Sequence, residues 1–154
     1  MRRILIKGTR LISIGAIAIL AANSLPVFAQ LKQTSTRQSI AISRLPNGTY
    51  FYGTSPAPYR TGTNYLFFRK IGNTIVGMKY PLPGEYTCFR GTARNNTIYN
   101  MTIHLIPLEE TTGGQFVPRD PINLASYYRL RANQAPSFAQ SGLQGCLQVF
   151  SNQR

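Results

Sequence analysis

Between Gly48 and Ile106, short aromatic and β-branched runs are punctuated by Gly, Pro and Asn, which predicts strands joined by tight turns. "GTYFYG" (48–53) is extended and aromatic, bounded by Pro46-Asn-Gly48 and by Pro56-Ala-Pro58. "NYLFFRKI" (64–71) and "TIVGMKY" (74–80) flank Gly72-Asn73, a two-residue hairpin connection whose residues tolerate positive φ. Pro81 to Gly84 interrupts pairing, because proline has no N–H for a ladder. Residues 85–93 and 97–106 follow as two further strands across the turn Arg94-Asn-Asn96. Strands joined in sequence by short turns predict an antiparallel meander. By parity Tyr99, Met101, Ile103 and Leu105 share one side of the last strand, opposite Asn100, Thr102 and His104. Val76, Met78 and Tyr80 likewise oppose Ile75, Gly77 and Lys79, so one apolar and one mixed face are expected. Gly77 and Gly91, inside strands, signal a bulge, a bend or a close backbone approach.

The pattern changes on either side of this block. Residues 30–44 are rich in Ser, Thr and Gln and read as a flexible lead, with at most a short strand near its end. Residues 107–119 read as a loop around Gly113-Gly114. Asp120-Pro121 then supplies an N-cap and an N1 proline, and apolar residues spaced three and four apart (Leu124, Tyr127, Tyr128, Leu130) predict a helix over 121–132. The alternation in Tyr-Tyr-Arg-Leu-Arg makes a strand the competing reading. The tail carries Cys146, Leu147, Val149 and Phe150, enough apolar surface to dock. The expected fold is mainly β: four to six antiparallel strands curving to a barrel or sandwich, with one C-terminal helix, in a single domain over 45–154.

The N-terminus adds a destination. A basic start (Arg2, Arg3, Lys7, Arg10), an apolar run from Leu11 to Ala22, Pro26 and then Val27-Phe28-Ala29 have the layout of a secretory signal peptide spanning 1–29. About a dozen apolar residues fall short of the roughly 20 that span a bilayer, so no stable membrane anchor is expected after cleavage. Arg2-Arg3 also fits a twin-arginine signal, with the general route favoured. The expected location is periplasmic or secreted. Beyond residue 29 stand 13 basic and four acidic residues, a net charge of +9. That surplus suits acidic polysaccharide or an anionic envelope surface. The cations are scattered singly, without the dense stripe of a dedicated nucleic-acid binder.

Two cysteines, Cys88 and Cys146, and one histidine, His104, frame the candidate chemistry. A Cys88–His104 nucleophile pair with Asn100 nearby is geometrically conceivable across neighbouring strands. In an oxidising compartment, however, two cysteines and no others read most simply as one disulfide tying the tail to the sheet. No spacing suits a metal, Glu109 and Glu110 point apart in an extended chain, and no nucleophile elbow, phosphate loop or dinucleotide fingerprint is present, so neither cofactor nor catalytic residues are assigned. Tyr50, Tyr52, Tyr65 and Tyr80 beside Arg69, Lys79 and Arg90 are candidates for a stacking platform, but a tyrosine-rich core and half-buried sheet surface is the favoured reading. Asn47, Asn95 and Asn100 match the glycosylation acceptor pattern, which matters only in a host with that machinery.

"NGTYFYG", "YLFF", "GNTIVGMKY" and "YTCFRG", over residues 45–91, resemble a group of small exported cyanobacterial proteins of uncharacterised function. The resemblance implies a secreted β-rich domain and supplies no active-site residues. The expected role is a non-catalytic binding or structural module of the cell envelope or matrix. A small barrel carrying a hydrophobic ligand among Met78, Met101 and the aromatics is the second expectation, and a Cys88-dependent enzyme the third.

Overall fold

The Gly72-Asn73 hairpin and the turn at Arg94-Asn-Asn96 form as predicted, whereas pairing continues through Pro81 and Leu82, where an interruption is expected. In the computed structural model, which describes residues 40–105 and 114–152, the strands are β1 (Gly48–Gly53), β2 (Thr63–Ile71), β3 (Thr74–Leu82), β4 (Thr87–Arg94), β5 (Thr97–Leu105), β6 (Gln115–Arg119), β7 (Ile122–Asn123) and β8 (Tyr128–Leu130). All pairings are antiparallel, in the order β6-β5-β4-β3-β2-β1-β8, with β7 joined to β5. β6 and β8 end the sheet without pairing to each other, so it remains open. Gly72 takes φ +56 at the first position of the β2–β3 turn, as a primed turn requires. The signal segment 1–29, residues 30–39 of the lead and the Glu109-Glu110 pair lie outside the described residues.

Several expectations are corrected. The segment 121–132 is not a helix: it forms β7, a 3-10 turn at Leu124–Ser126 and β8, and the helix α1 is the tail itself, Ser137–Ser151. Asp120-Pro121 resembles a helix start, but a helix of about three turns is marginal by itself, and the following residues pair with β5 and β1 instead. In the tail, Ala139, Gly142, Leu143, Cys146 and Phe150 recur at three and four residues and give α1 one buried side. The second correction concerns the end of the lead. Ile42–Arg44 is a 3-10 turn whose Ile42 is fully buried, with Leu45 beside it. The β4–β5 turn holds it there: Ser43 N–H donates to Asn95 O (3.0 Å) and Ile42 N–H to Asn96 Oδ1 (3.2 Å). Leu124 N–H donates to Asn96 O (2.8 Å), so one turn fastens both flanking segments.

The sheet buries apolar side chains on both faces, in place of one apolar and one mixed face. On one face Tyr50, Tyr52, Leu66, Phe68, Ile75, Phe89, Ile98 and Met101 pack with Ile42, Leu45 and Leu124. On the other, Phe51, Tyr65, Phe67, Met78, Tyr80 and Cys88 pack under α1. Gly77 is required where β3 crosses β2, since a Cβ there would lie 2.5 Å from Phe67 O and collide with Phe68 Cβ.

Parity fails at one place, and the cause is a bulge. Arg90 pairs with Thr102 but Thr92 pairs with Tyr99, so β5 carries one extra residue opposite Gly91. Asn100 absorbs it at φ +50, a conformation asparagine tolerates. Ile98 therefore shares the buried face with Met101 and Ile103, while Tyr99 turns to the other side and is 41% exposed.

Candidate functional site

α1 crosses its face diagonally. Phe138 meets Tyr80 edge-on at 5.1 Å, Gly142 lies against Met78, Cys146 bonds Cys88 and Phe150 packs on Phe116 at 5.3 Å. Cys88 and Cys146 form the expected disulfide, with Cα atoms 5.2 Å apart, and Cys88 has no thiolate to offer as a nucleophile in this state. His104 stands directly opposite Cys88 in the ladder, its ring 5.0 Å from Phe116. Gly114 packs so closely that a Cβ there would collide with the imidazole Nε2. The histidine is thus a half-buried neighbour of the staple. Among the described residues no three His, Cys, Asp or Glu side chains gather as metal ligands would.

The four candidate tyrosines do not meet on one platform. Tyr50 and Tyr52 lie on one face, flanking Phe68 at 5.8 and 5.6 Å; Tyr65 and Tyr80 stack at 5.5 Å on the other. All four are buried. Tyr65 anchors the β1–β2 loop, its hydroxyl donating to Ala57 O and accepting from Arg60 N–H. Lys79 is exposed on the face of Tyr52 and Leu66, with which it is in register. Met78 and Met101 sit in separate clusters on opposite faces and enclose no common space.

Burial makes Tyr52 sensitive to alkali. Its hydroxyl is buried with no partner among the described residues. Loss of hydration pushes its pKa up to about 12, against the opposing pull of the nearby Arg129 guanidinium. Unfolding returns the phenol to about 10. The fold therefore keeps this stabilisation below pH 10 and loses it as pH rises from 10 towards 12, a loss of about 2–3 kcal/mol at most. Denaturation midpoints are expected to fall over that window; Tyr52→Phe, which removes the unpartnered hydroxyl, is expected to lessen the fall without abolishing it, because burial also pushes up Tyr80 and Tyr127, and to cost less than about 1 kcal/mol at pH 7.

Arg69 and Arg90 do come together. Both stand on the face that α1 crosses, beyond its reach, in the row Thr49–Arg69–Val76–Arg90–Thr102. One strand separates them, a backbone spacing of about 10 Å. The next row runs Ile71–Thr74–Thr92–Tyr99, and Arg94 with Thr97 closes the block. Arg69, Arg90 and Arg94 are exposed, and neither described carboxylate, Glu85 nor Asp120, belongs to these rows. At the bulge this surface sinks into a groove of about 210 Å³, lined by Thr74, Arg90, Gly91, Thr92, Asn100 and Thr102.

Of the groove's side chains, the sequence singled out Arg90 as a ligand contact, and Asn100 only beside His104 and as a glycosylation acceptor. Thr74, Thr92 and Thr102 are ordinary strand residues on their own; Asn100 shares their face as its alternation with Thr102 places it, and the bulge adds Tyr99 to that face. A glycine mid-strand at 91 facing an asparagine at 100 was the available signal, without the register that joins them. No family model, curated protein or solved structure matches the chain.

Proposed function

We propose that the protein is an exported, non-catalytic binding module of the cell envelope or extracellular matrix, and that it engages acidic polysaccharide through the half of the sheet that α1 leaves uncovered. The observation that carries this reading is the row geometry: three exposed arginines and a polar groove share one face with no described carboxylate among them. Guanidiniums exposed on a β-face, with no carboxylate beside them among the described residues, suit bidentate contact with carboxylate or sulfate oxygens. The +9 charge beyond residue 29 draws such a polymer in from a distance. Export rests on the signal-like N-terminus, and the disulfide is compatible with an oxidising location. The likeness of residues 45–91 to small exported cyanobacterial proteins agrees with this setting.

Retention on immobilised acidic polysaccharide at low salt, lost as salt rises, is the expected result. Replacing Arg69, Arg90 and Arg94 together by Ala is expected to abolish retention without changing the melting temperature, since exposed charges add little to stability. Absence of retention at low salt, or retention unaffected by the triple substitution, would remove this reading.

A further inference from the structure

We infer that the groove at the β5 bulge is a subsite for one uronic acid residue of a glycan chain, with Arg90 on the carboxylate and Thr74, Thr92, Thr102 and Asn100 on the ring hydroxyls. The inference rests on the polysaccharide reading above and narrows it to one ligand chemistry. Its basis is the inventory of the lining. One guanidinium stands among three hydroxyls and one carboxamide. Hydroxyls and carboxamides both donate and accept, as sugar hydroxyls do, whereas a sulfate or phosphate ester only accepts. A polymer carrying several charges on each unit would leave anions facing neutral threonines. A sugar with one carboxylate and free hydroxyls matches the lining in kind, one cation among groups that both donate and accept.

Size and shape agree. At about 210 Å³ the groove is smaller than the pockets of roughly 300 Å³ and above that hold drug-sized ligands, which suits a single ring. The groove lies on an open sheet face, so the polymer can continue past it in both directions, towards Arg69 on one side and the exposed Tyr99 ring on the other. The bulge is the feature that makes the site. It breaks the ladder opposite Gly91, where Asn100 lines the groove with Arg90 and Thr102, and it turns Tyr99 onto the same face. Bulges commonly re-aim side chains in this way beside binding sites.

The test uses the folded, disulfide-bonded chain and four probes: an oligogalacturonate, poly-glutamate of matched charge, dextran sulfate and neutral dextran. The wild type is expected to bind oligogalacturonate at least about tenfold more tightly than poly-glutamate, which has carboxylates but no ring hydroxyls. Thr92→Val and Asn100→Ala are each expected to weaken oligogalacturonate about fivefold to tenfold and to change poly-glutamate or dextran sulfate less than twofold. Thr92→Val keeps a β-branched residue on an exposed strand position, which preserves the fold, and Thr92→Ser is expected to restore binding. Equal affinity for oligogalacturonate and poly-glutamate, or equal losses on every anionic probe, would overturn the subsite while leaving polyanion binding intact. Failure of all three anionic probes would overturn the proposed function with it.

Discussion

Removing the Cys88–Cys146 bond, by reduction or by the paired substitutions Cys88→Ala and Cys146→Ala, is expected to lower the unfolding free energy by roughly 4 kcal/mol. The bond closes a loop of 58 residues, and in the chain-entropy description a loop of that length restricts the unfolded chain by about this amount. The bond also sits where it matters locally. α1 has no other covalent tie to the sheet, and its N-terminus has no side-chain cap. Leu143 and Phe150 would still hold the reduced helix by apolar contact, so a weakened fold is expected, with amide exchange in 137–151 rising before that of β2 and β3. Urea unfolding with and without reductant measures the difference. A change below about 1 kcal/mol would mean that α1 docking is independent of the staple.

Phe68→Ala is expected to cost about 3–5 kcal/mol. Phe68 is fully buried in β2, stacked 7° from parallel with Tyr52 and tilted against Tyr50, and Gly77 lets β3 approach its Cβ closely. Truncation leaves a void between two strands that their ladders with β1 and β3 hold in place. Gly77→Ala probes the same contact from the other side. The added methyl meets backbone as well as side chain, so its cost is expected at or above the 1–3 kcal/mol usual for overpacking. Thermal or urea denaturation of the two variants checks both figures, and a loss under about 1 kcal/mol for Phe68→Ala would show that this face can collapse around the gap.

The hairpins, the disulfide and the strand glycines were legible because each rests on local chemistry: positive φ at Gly72, a chain with two cysteines and no others, and the absence of a Cβ at Gly77 and Gly91. Three features depend on long-range pairing and were not. The 121–132 segment carries a helix-start signal at Asp120-Pro121, yet β5 and β1 recruit it as strand. Ile42 sits in a polar Ser/Thr/Gln stretch that looks unanchored until Asn96 on the β4–β5 turn captures its N–H. The β5 bulge shifts Tyr99 away from Met101, and no alternation pattern marks which strand carries the extra residue. For the candidate site the consequence is specific. Tyrosines chosen for their aromatic chemistry proved to be core, while threonines with no distinguishing sequence feature line the groove.

Mapping the bound polymer on the backbone most directly tests the claim that the uncovered arginine–threonine face is the binding surface. In 15N–1H spectra of the disulfide-bonded protein titrated with oligogalacturonate at low salt, the largest shifts are expected at Thr74, Arg90, Gly91, Thr92, Asn100 and Thr102, with smaller ones at Arg69 and Arg94. Shifts confined to the opposite face, around Lys79 and Arg129, or no saturable shifts at all, would contradict it.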